Sequence, residues 1–422
     1  MGREKLIPPP PYRRPRESAM LDEAAPAISC VLWQFVRHLR DWIEVKPAQR
    51  RELFVQERKP RVSAKWADAQ ECASEVSESL AQLATFTQES RDLLAIANAA
   101  ERIARWADER DYTETSIQMA EAAALLNRGE ARVANLAGRY TRKAGDFLRA
   151  ETWFERGIGL ARGKRDWVEY TRGHLGAGIL AMGLGRESRA RRHFNTASSV
   201  AMREGHEWLA AEAQHDLFQF VTMRGNYVDA EVHARRALSW YPKHHPRFPF
   251  FVADVAFLMV CQRHFAPAVE LLRRFVRTVK PPQNLLGYSL LVRALAGAGS
   301  LKEYHRRRSQ LLKLIHATEW EAAARWNLAH AARETGELES ALIEARSAAA
   351  LARARCDKET EQLAEQLVHE LEEGPERPAQ AEVRRRDNRF RPLVEVLVSR
   401  LADWSPTRRG RSPVLSRSEW AA

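Results

Sequence analysis

Long apolar runs are missing from this chain. The longest apolar stretch of its 422 residues, Phe248 to Cys261, is interrupted by Asp254 and falls short of the roughly 20 residues that a bilayer-spanning helix needs. No membrane span is therefore expected. Cysteine is scarce as well: Cys30, Cys72, Cys261 and Cys356 stand far apart, with no CxxC pair, which excludes a disulfide framework and points to buried thiols in a reducing compartment. Met1 to Ser18 contain no apolar core that could serve as a signal peptide, and Leu6 stands where a myristoylation motif requires Ser or Thr. A cytoplasmic protein is expected. No stretch carries the alternation of a β-strand.

Catalytic signatures are missing too. His206-Glu207 begins like a zinc-protease helix, but Ala210 occupies the place of the second histidine. Gly157 to Lys164 has the outline of a phosphate loop, yet its first glycine is one residue too far away and Arg165 replaces the Ser or Thr that would hold magnesium. His244-His245 lie between Pro242 and Pro246 with no Cys or carboxylate cluster nearby, so a metal is not expected there. The sequence leads us to expect no enzyme, no cofactor and no metal.

Positive charge is in excess, at +12, but it is unevenly placed. Residues 1–18 carry +3 and residues 374–422 carry +5, leaving +4 for the rest of the chain. Nucleic-acid binders more usually concentrate basic residues on one folded face with exposed aromatics between them. Arg384-Arg385-Arg386 and Arg408-Arg409 could hold anions, although basic tails are commonly just solvated. Nucleic acid is the less favoured partner.

What the chain does have is a recurring turn. Gly145-Asp146-Phe147 precedes Ala150, Gly185-Arg186 precedes Ala190, Gly225-Asn226-Tyr227 precedes Ala230, and Gly336-Glu337-Leu338 precedes Ala341. Weaker copies occur at Asp111-Tyr112, at His264-Phe265 with Ala268, and at Gly299-Ser300-Leu301 with Tyr304 in the alanine slot. With turns taken at 110, 145, 185, 225, 263, 299 and 336, the intervals are 35, 40, 40, 38, 36 and 37 residues. A period in this range with helical patterning between turns predicts a solenoid of stacked helical hairpins. Glycine suits the turn because the chain must enter a left-handed conformation there, and the following small residue lets the paired helices approach. Bulky Phe154, Phe194 and Leu272 alternate with small Gly157, Ala197 and Ala237, as close-packed helix faces require.

These residues resemble the tetratricopeptide repeat family. The resemblance rests on Gly138 with Gly145, Ala150 and Phe154; on Gly178 with Gly185, Ala190, Phe194 and Ala197; and on Tyr227 with Ala230, Ala237 and Tyr241-Pro242. It covers roughly residues 90 to 355, departing where Glu187 replaces the turn aromatic and Tyr304 the small residue. It implies an all-α, right-handed superhelical solenoid of about six to seven hairpins that binds peptides or other proteins.

The chain is expected to fall into a flexible Pro/Arg-rich leader (1–26), a helical cap region (27–89), the repeats (90–372), a linker (373–388), a C-terminal helix (389–404) and a basic disordered tail (405–422). In the cap, Ile28, Val31, Leu32, Phe35, Val36, Leu39, Trp42 and Ile43 form one apolar helical face, either packed on the first repeats or left to dock a partner. A second short helix is expected after Pro47, burying Leu53, Phe54 and Val55, and a helical segment over 63–90. Phe390, Leu393, Val394, Leu397, Val398 and Leu401 predict a last helix that caps the array or docks elsewhere.

In tetratricopeptide arrays the first helix of each hairpin lines the concave groove. The resemblance therefore places Arg132, Asn135, Arg139 and Arg142 on one lining stripe, followed by Arg172, by His215 and Gln219, by Arg293, and by Asn327, His330 and Arg333, with Leu175, Ile179, Met182, Phe250 and Phe257 as an apolar middle. Guanidinium forks and amides suit carboxylates, so an acidic peptide or a peptide C-terminus fits the arrangement, which is loosely similar to a carboxylate clamp of the family. The simpler alternative is a solvated arginine-rich face. The groove reading predicts that Arg139→Glu with Arg142→Glu abolishes partner binding while sparing the fold. The leading function is a non-catalytic interaction scaffold or adaptor. Two alternatives stay open: a regulatory or sensor protein acting on transcription or signalling through the array, and nucleic-acid binding by the C-terminal segment. Homo-oligomerisation also stays open.

Overall fold

The computed structural model describes residues 6–13, 17–50, 53–54, 74–88, 91–316, 318, 320–354, 357–373 and 390–405. Among them there is no strand; helix follows helix, and consecutive helices pack as neighbouring pairs in an all-α helical repeat. Ahead of the repeat lie α1 (Glu17–Glu23), α2 (Pro26–Glu44) and α3 (Ser77–Ala84). Then come seven hairpins: α4 (Leu93–Asp108) with α5 (Thr113–Leu126), α6 (Ala131–Lys143) with α7 (Phe147–Lys164), α8 (Trp167–Gly183) with α9 (Glu187–Arg203), α10 (Glu207–Thr222) with α11 (Tyr227–Trp240), α12 (Phe248–Cys261) with α13 (Phe265–Thr278), α14 (Leu285–Gly297) with α15 (Leu301–Ile315), and α16 (Glu321–Thr335) with α17 (Leu338–Ala354). The lone α18 (Lys358–Glu372) and the C-terminal α19 (Arg391–Ala402) complete the order. Two compact units divide the chain: unit 1 holds the described residues up to 180 together with 195–206, and unit 2 holds 181–194 and the described residues from 207 onward.

The hairpin turns share one device. At each, a single residue takes positive φ: Asp111, Gly145, Gly185, Gly225, Arg263, Gly299 and Gly336. The next N–H then reaches back five residues, as in Asp146 N to Thr141 O at 2.9 Å, Asn226 N to Val221 O at 3.0 Å and Glu337 N to Ala332 O at 2.9 Å, satisfying a carbonyl that the helix end would otherwise leave unpaired. At Arg263, where a side chain resists this conformation, the guanidinium makes a forked pair with Glu334 at 3.0 and 2.9 Å. The small residue after the turn is fully buried at Ala150, Ala190, Ala230, Ala268 and Ala341, and so is Tyr304 in its place. Phe154 is enclosed between Gly138 of α6 and Gly176 of α8, where an added Cβ would lie 2.9 and 2.3 Å from its ring.

In unit 1, the apolar face of α2 is buried from Ile28 to Leu39 and packs on α3 and α5, so this stripe is core. After Pro47 there is only a 3-10 turn, Pro47–Gln49, in place of a helix; Phe54 is buried and Val55 lies outside the described residues. Of the segment 63–90, only 74–88 is described, and it contains α3.

The expected flexible leader needs correction. Residues 6–13 have no regular secondary structure and lie on α5 and α7: the Tyr12 hydroxyl donates to Gln118 O at 3.4 Å, Arg149 donates to Pro11 O, and Arg156 donates to Ile7 O. Prolines forbid helix and leave carbonyls needing donors; the two arginines supply them. Glu23 of α1 then receives the backbone N–H groups of Glu114 and Thr115 at 2.7 and 2.8 Å, capping α5 from outside its own sequence neighbourhood.

In unit 2, α19 docks along α13 and α12. It buries Phe390, Val394, Leu397 and Leu401, while Arg400 donates to Leu238 O at 2.9 Å and Tyr241 O at 2.8 Å, the open carbonyls at the end of α11. Of the expected linker 373–388 only Glu373 is described, and of the expected tail 405–422 only Ser405; residue 389 also lies outside the described residues.

Candidate functional site

Residues one repeat apart on successive first helices meet, and that decides the fate of each expected groove residue. In unit 1 the basic groups meet acids. Arg132 donates to Glu101, which also takes Arg105 at 2.9 Å. Asn135 is buried, its amide donating to Glu169 Oε2 at 3.0 Å and Glu169 O at 2.9 Å, and Arg172 pairs with the same carboxylate at 2.6 Å. Arg139 lies 3.5 Å from Asp108, which Lys143 holds at 2.7 Å. Glu101, Asp108 and Glu169 are themselves buried. Arg142 follows Arg139 in the last turn of α6. Leu175 is buried and Ile179 half-buried. The expectation for Arg139→Glu therefore changes: the new carboxylate would face the buried Asp108, so the fold is not spared.

In unit 2, the first helices α10, α12, α14, α16 and α18 pack side by side. The half-buried residues of α12 are Phe250, Asp254, Phe257 and Cys261, spaced to form a single stripe. Asp254 was absent from the sequence expectation, yet it organises the α10 residues that were included. Its Oδ2 lies 2.7 Å from His215 Nε2 and accepts from Gln219 Nε2 at 2.7 Å, while its Oδ1 accepts from no described residue. His215 is buried, with Nδ1 2.9 Å from the Tyr241 hydroxyl, and burial raises that phenol well above its ordinary pKa. The Gln219 carbonyl oxygen is buried with no partner. Behind this group, Arg247 and Asp216 form a buried pair at 2.6 Å. His245 is pushed down to about 3 by burial, with Arg247 and His215 adding to the effect.

The next pair of first helices has the opposite character. Arg293 is 7% exposed and no carboxylate lies within 4 Å of its guanidinium among the described residues. It has the Trp326 ring 5.0 Å away and Asn327 Oδ1 at 3.5 Å, and its Nε is buried without a partner. Burial lowers its pKa. The Asn327 amide is turned to Ser289 at 3.1 Å. His330, buried, packs its ring against Trp326 at 4.6 Å and has Nδ1 3.0 Å from Arg333. A guanidinium can only donate, so Nδ1 accepts and the ring proton sits on Nε2. Burial first, then Arg293 and Arg333, holds His330 well below its ordinary pKa, so it is neutral. Trp326 Nε1 is also buried with no acceptor, and Phe257 approaches the Trp326 ring at 6.3 Å. Arg333 is shared with Glu370 of α18 at 2.8 Å.

Arg293, Asn327 and His330 are thus brought together, and Trp326 joins them unannounced by the sequence expectation. Its signal was present: Trp326 is four residues before His330 and so on its face of α16. The α14/α16 group can stabilise an anion, because it holds N–H donors and positive charge beyond its own acceptors. No group of three or more His, Cys, Asp or Glu among the described residues could hold a metal ion, and no described helix is long and apolar enough to cross a membrane. No protein-family model and no curated protein matches the chain.

Proposed function

We propose that this chain is a non-catalytic interaction scaffold of the tetratricopeptide kind, which holds a carboxylate-bearing peptide or protein segment against the first helices of unit 2. The observation that carries this reading is Arg293. Removing a guanidinium from water costs several kcal/mol, on the order of what a paired and hydrogen-bonded anion returns. Arg132, Arg139, Arg172 and Arg333 of the expected stripe, all more exposed than Arg293, each have a carboxylate within the chain; the buried Arg293 has none within 4 Å among the described residues. A ligand carboxylate provides it, with the neutral His330 Nε2–H as a second donor and Phe257 and Trp326 as apolar walls. Arginine favours planar anions because its fork donates two parallel bonds.

The test is calorimetric titration of N-acetyl-Asp-Glu-Phe-Glu with a free C-terminus into the full chain. Arg293→Gln should lose tenfold or more in affinity, and Arg132→Gln, whose arginine serves Glu101, should stay within twofold of the parent. Equal affinity of the Arg293→Gln and parent proteins removes the reading.

A further inference from the structure

The anionic and cationic halves of the unit 2 wall have matching vacancies of opposite kind. On α10 and α12 two acceptors lack donors: Gln219 Oε1, buried and unpartnered, and Asp254 Oδ1, on a carboxylate that is 28% exposed. On α14 and α16 two donors lack acceptors: Arg293 Nε and Trp326 Nε1. Buried polar groups without partners cost about 1–3 kcal/mol each; Gln219 Oε1, Arg293 Nε and Trp326 Nε1 are of that kind, and three of them at one wall, beside the part-exposed Asp254 Oδ1, are hard to explain as packing. A ligand with an ammonium at one end and a carboxylate at the other completes all four.

The spacing sets the ligand's length. Asp254 and Cys261 lie on the same stripe of α12, seven residues apart, or about 10 Å of helix. Arg293 lies 5.0 Å from the Trp326 ring, which packs on Phe257 of the same α12 stripe, and its charge opposes the rise that burial imposes on the Cys261 thiol. An extended tripeptide spans about 10 Å from end to end. Between the two poles, the Phe257 and Trp326 rings pack against each other with centroids 6.3 Å apart, an apolar surface on which the middle residue can lie.

We infer that the ligand of this wall is a short peptide of about three residues with both ends free, its amino group on Asp254 and Gln219 and its carboxylate on Arg293. The inference rests on the proposed role of Arg293 and adds the amine end. An internal acidic segment of a larger protein would leave the Asp254 end unfilled.

The experiment is calorimetric titration of Ala-Phe-Ala in three forms, unmodified, N-acetylated and C-amidated, into the full-length parent, Asp254→Asn and Arg293→Gln proteins. Unmodified tripeptide should bind the parent; acetylation and amidation should each weaken binding tenfold or more. In Asp254→Asn the penalty for acetylation should vanish while that for amidation persists, a pattern that general damage to the wall would not give. Equal binding of the acetylated and unmodified forms to the parent overturns the amine site but leaves the carboxylate reading intact. Equal binding of the amidated form overturns the role of Arg293 itself. Failure of all three forms to bind refutes the short-peptide ligand, and the acidic tetrapeptide then judges the broader reading alone.

Discussion

Two buried arginines in unit 2 should respond to the same substitution with opposite signs. Arg247 is fully committed: its guanidinium meets Asp216 at 2.6 Å, both groups are buried, and Glu212 lies 4.0 Å away. Arg247→Met strands Asp216 without a counter-ion, which costs about 3–5 kcal/mol. Arg293 holds no carboxylate. Replacing it with Met relieves the desolvation of an unpaired cation, which we take as about 3 kcal/mol within the range seen when buried ions give way to apolar groups. Against this stand the loss of the Trp326 contact, about 1 kcal/mol, and of the long bond to Asn327 Oδ1, about 0.5 kcal/mol. The net is a gain of about 1–2 kcal/mol. Thermal unfolding followed by helical circular dichroism should show Arg293→Met melting about 2–5 °C above the parent and Arg247→Met about 10 °C below it. If Arg293→Met melts as far below the parent as Arg247→Met does, then Arg293 is compensated within the fold and the argument for a ligand carboxylate fails.

Three more outcomes follow from particular contacts. Gly176→Ala would normally favour a helix by ~1 kcal/mol, but its Cβ would lie 2.3 Å from the buried Phe154 ring; urea unfolding should show a loss of about 1–3 kcal/mol, and a gain would mean that Phe154 has room to move. Arg139→Glu sets a carboxylate against Asp108, which is 3% exposed, so its melting temperature should fall even where no partner is present; an unchanged melt would mean that Lys143 alone neutralises Asp108. His245 has its folded pKa depressed to about 3, so its contribution is whole above the unfolded value of ~6.5 and is lost as pH falls below it, amounting to about 2 kcal/mol at pH 5. Glu212, 3.6 Å from its Nε2, opposes the depression without reversing it. Denaturation of His245→Gln at pH 7.5 and pH 5 should show this loss reduced, and an identical pH slope in both proteins would count against a neutral His245.

The repeat was legible in the sequence because its turn makes a demand that few residues meet. A positive φ at the helix end selects glycine, and five of the seven turns declare themselves that way. At Asp111 and Arg263 the same conformation is held by non-glycine residues, and only the repeat interval points there. The buried stripe of α2 was legible for a similar reason, since helical periodicity and burial are one pattern. The docking of residues 6–13 was not, because a proline-rich segment states only that it cannot be helical; what holds it is Arg149 and Arg156, 138 and 149 residues away from the carbonyls they reach. The expected groove residues show the same limit. A stripe of arginines can be read from one helix, but whether each is paired depends on the next first helix along. Glu101 and Asp108 neutralise the stripe in unit 1, whereas the corresponding partner of Arg293 is an amide, Asn327.

That difference bears on how a purely structural arginine can be told from one kept for binding. A residue whose role is to hold the fold lowers stability and binding together when removed, because binding fails as a consequence of unfolding. A desolvated cation retained for a ligand does the reverse: its removal raises the stability of the free protein and lowers affinity, and only in the bound state does its burial cost meet an opposing charge. Arg293→Met should therefore melt above the parent without ligand and lose that advantage when the acidic tetrapeptide is added, since the ligand stabilises only the protein that binds it. A crossing of the two melting temperatures with peptide concentration separates the two accounts without requiring the natural partner, and parallel behaviour at every concentration decides for the structural one.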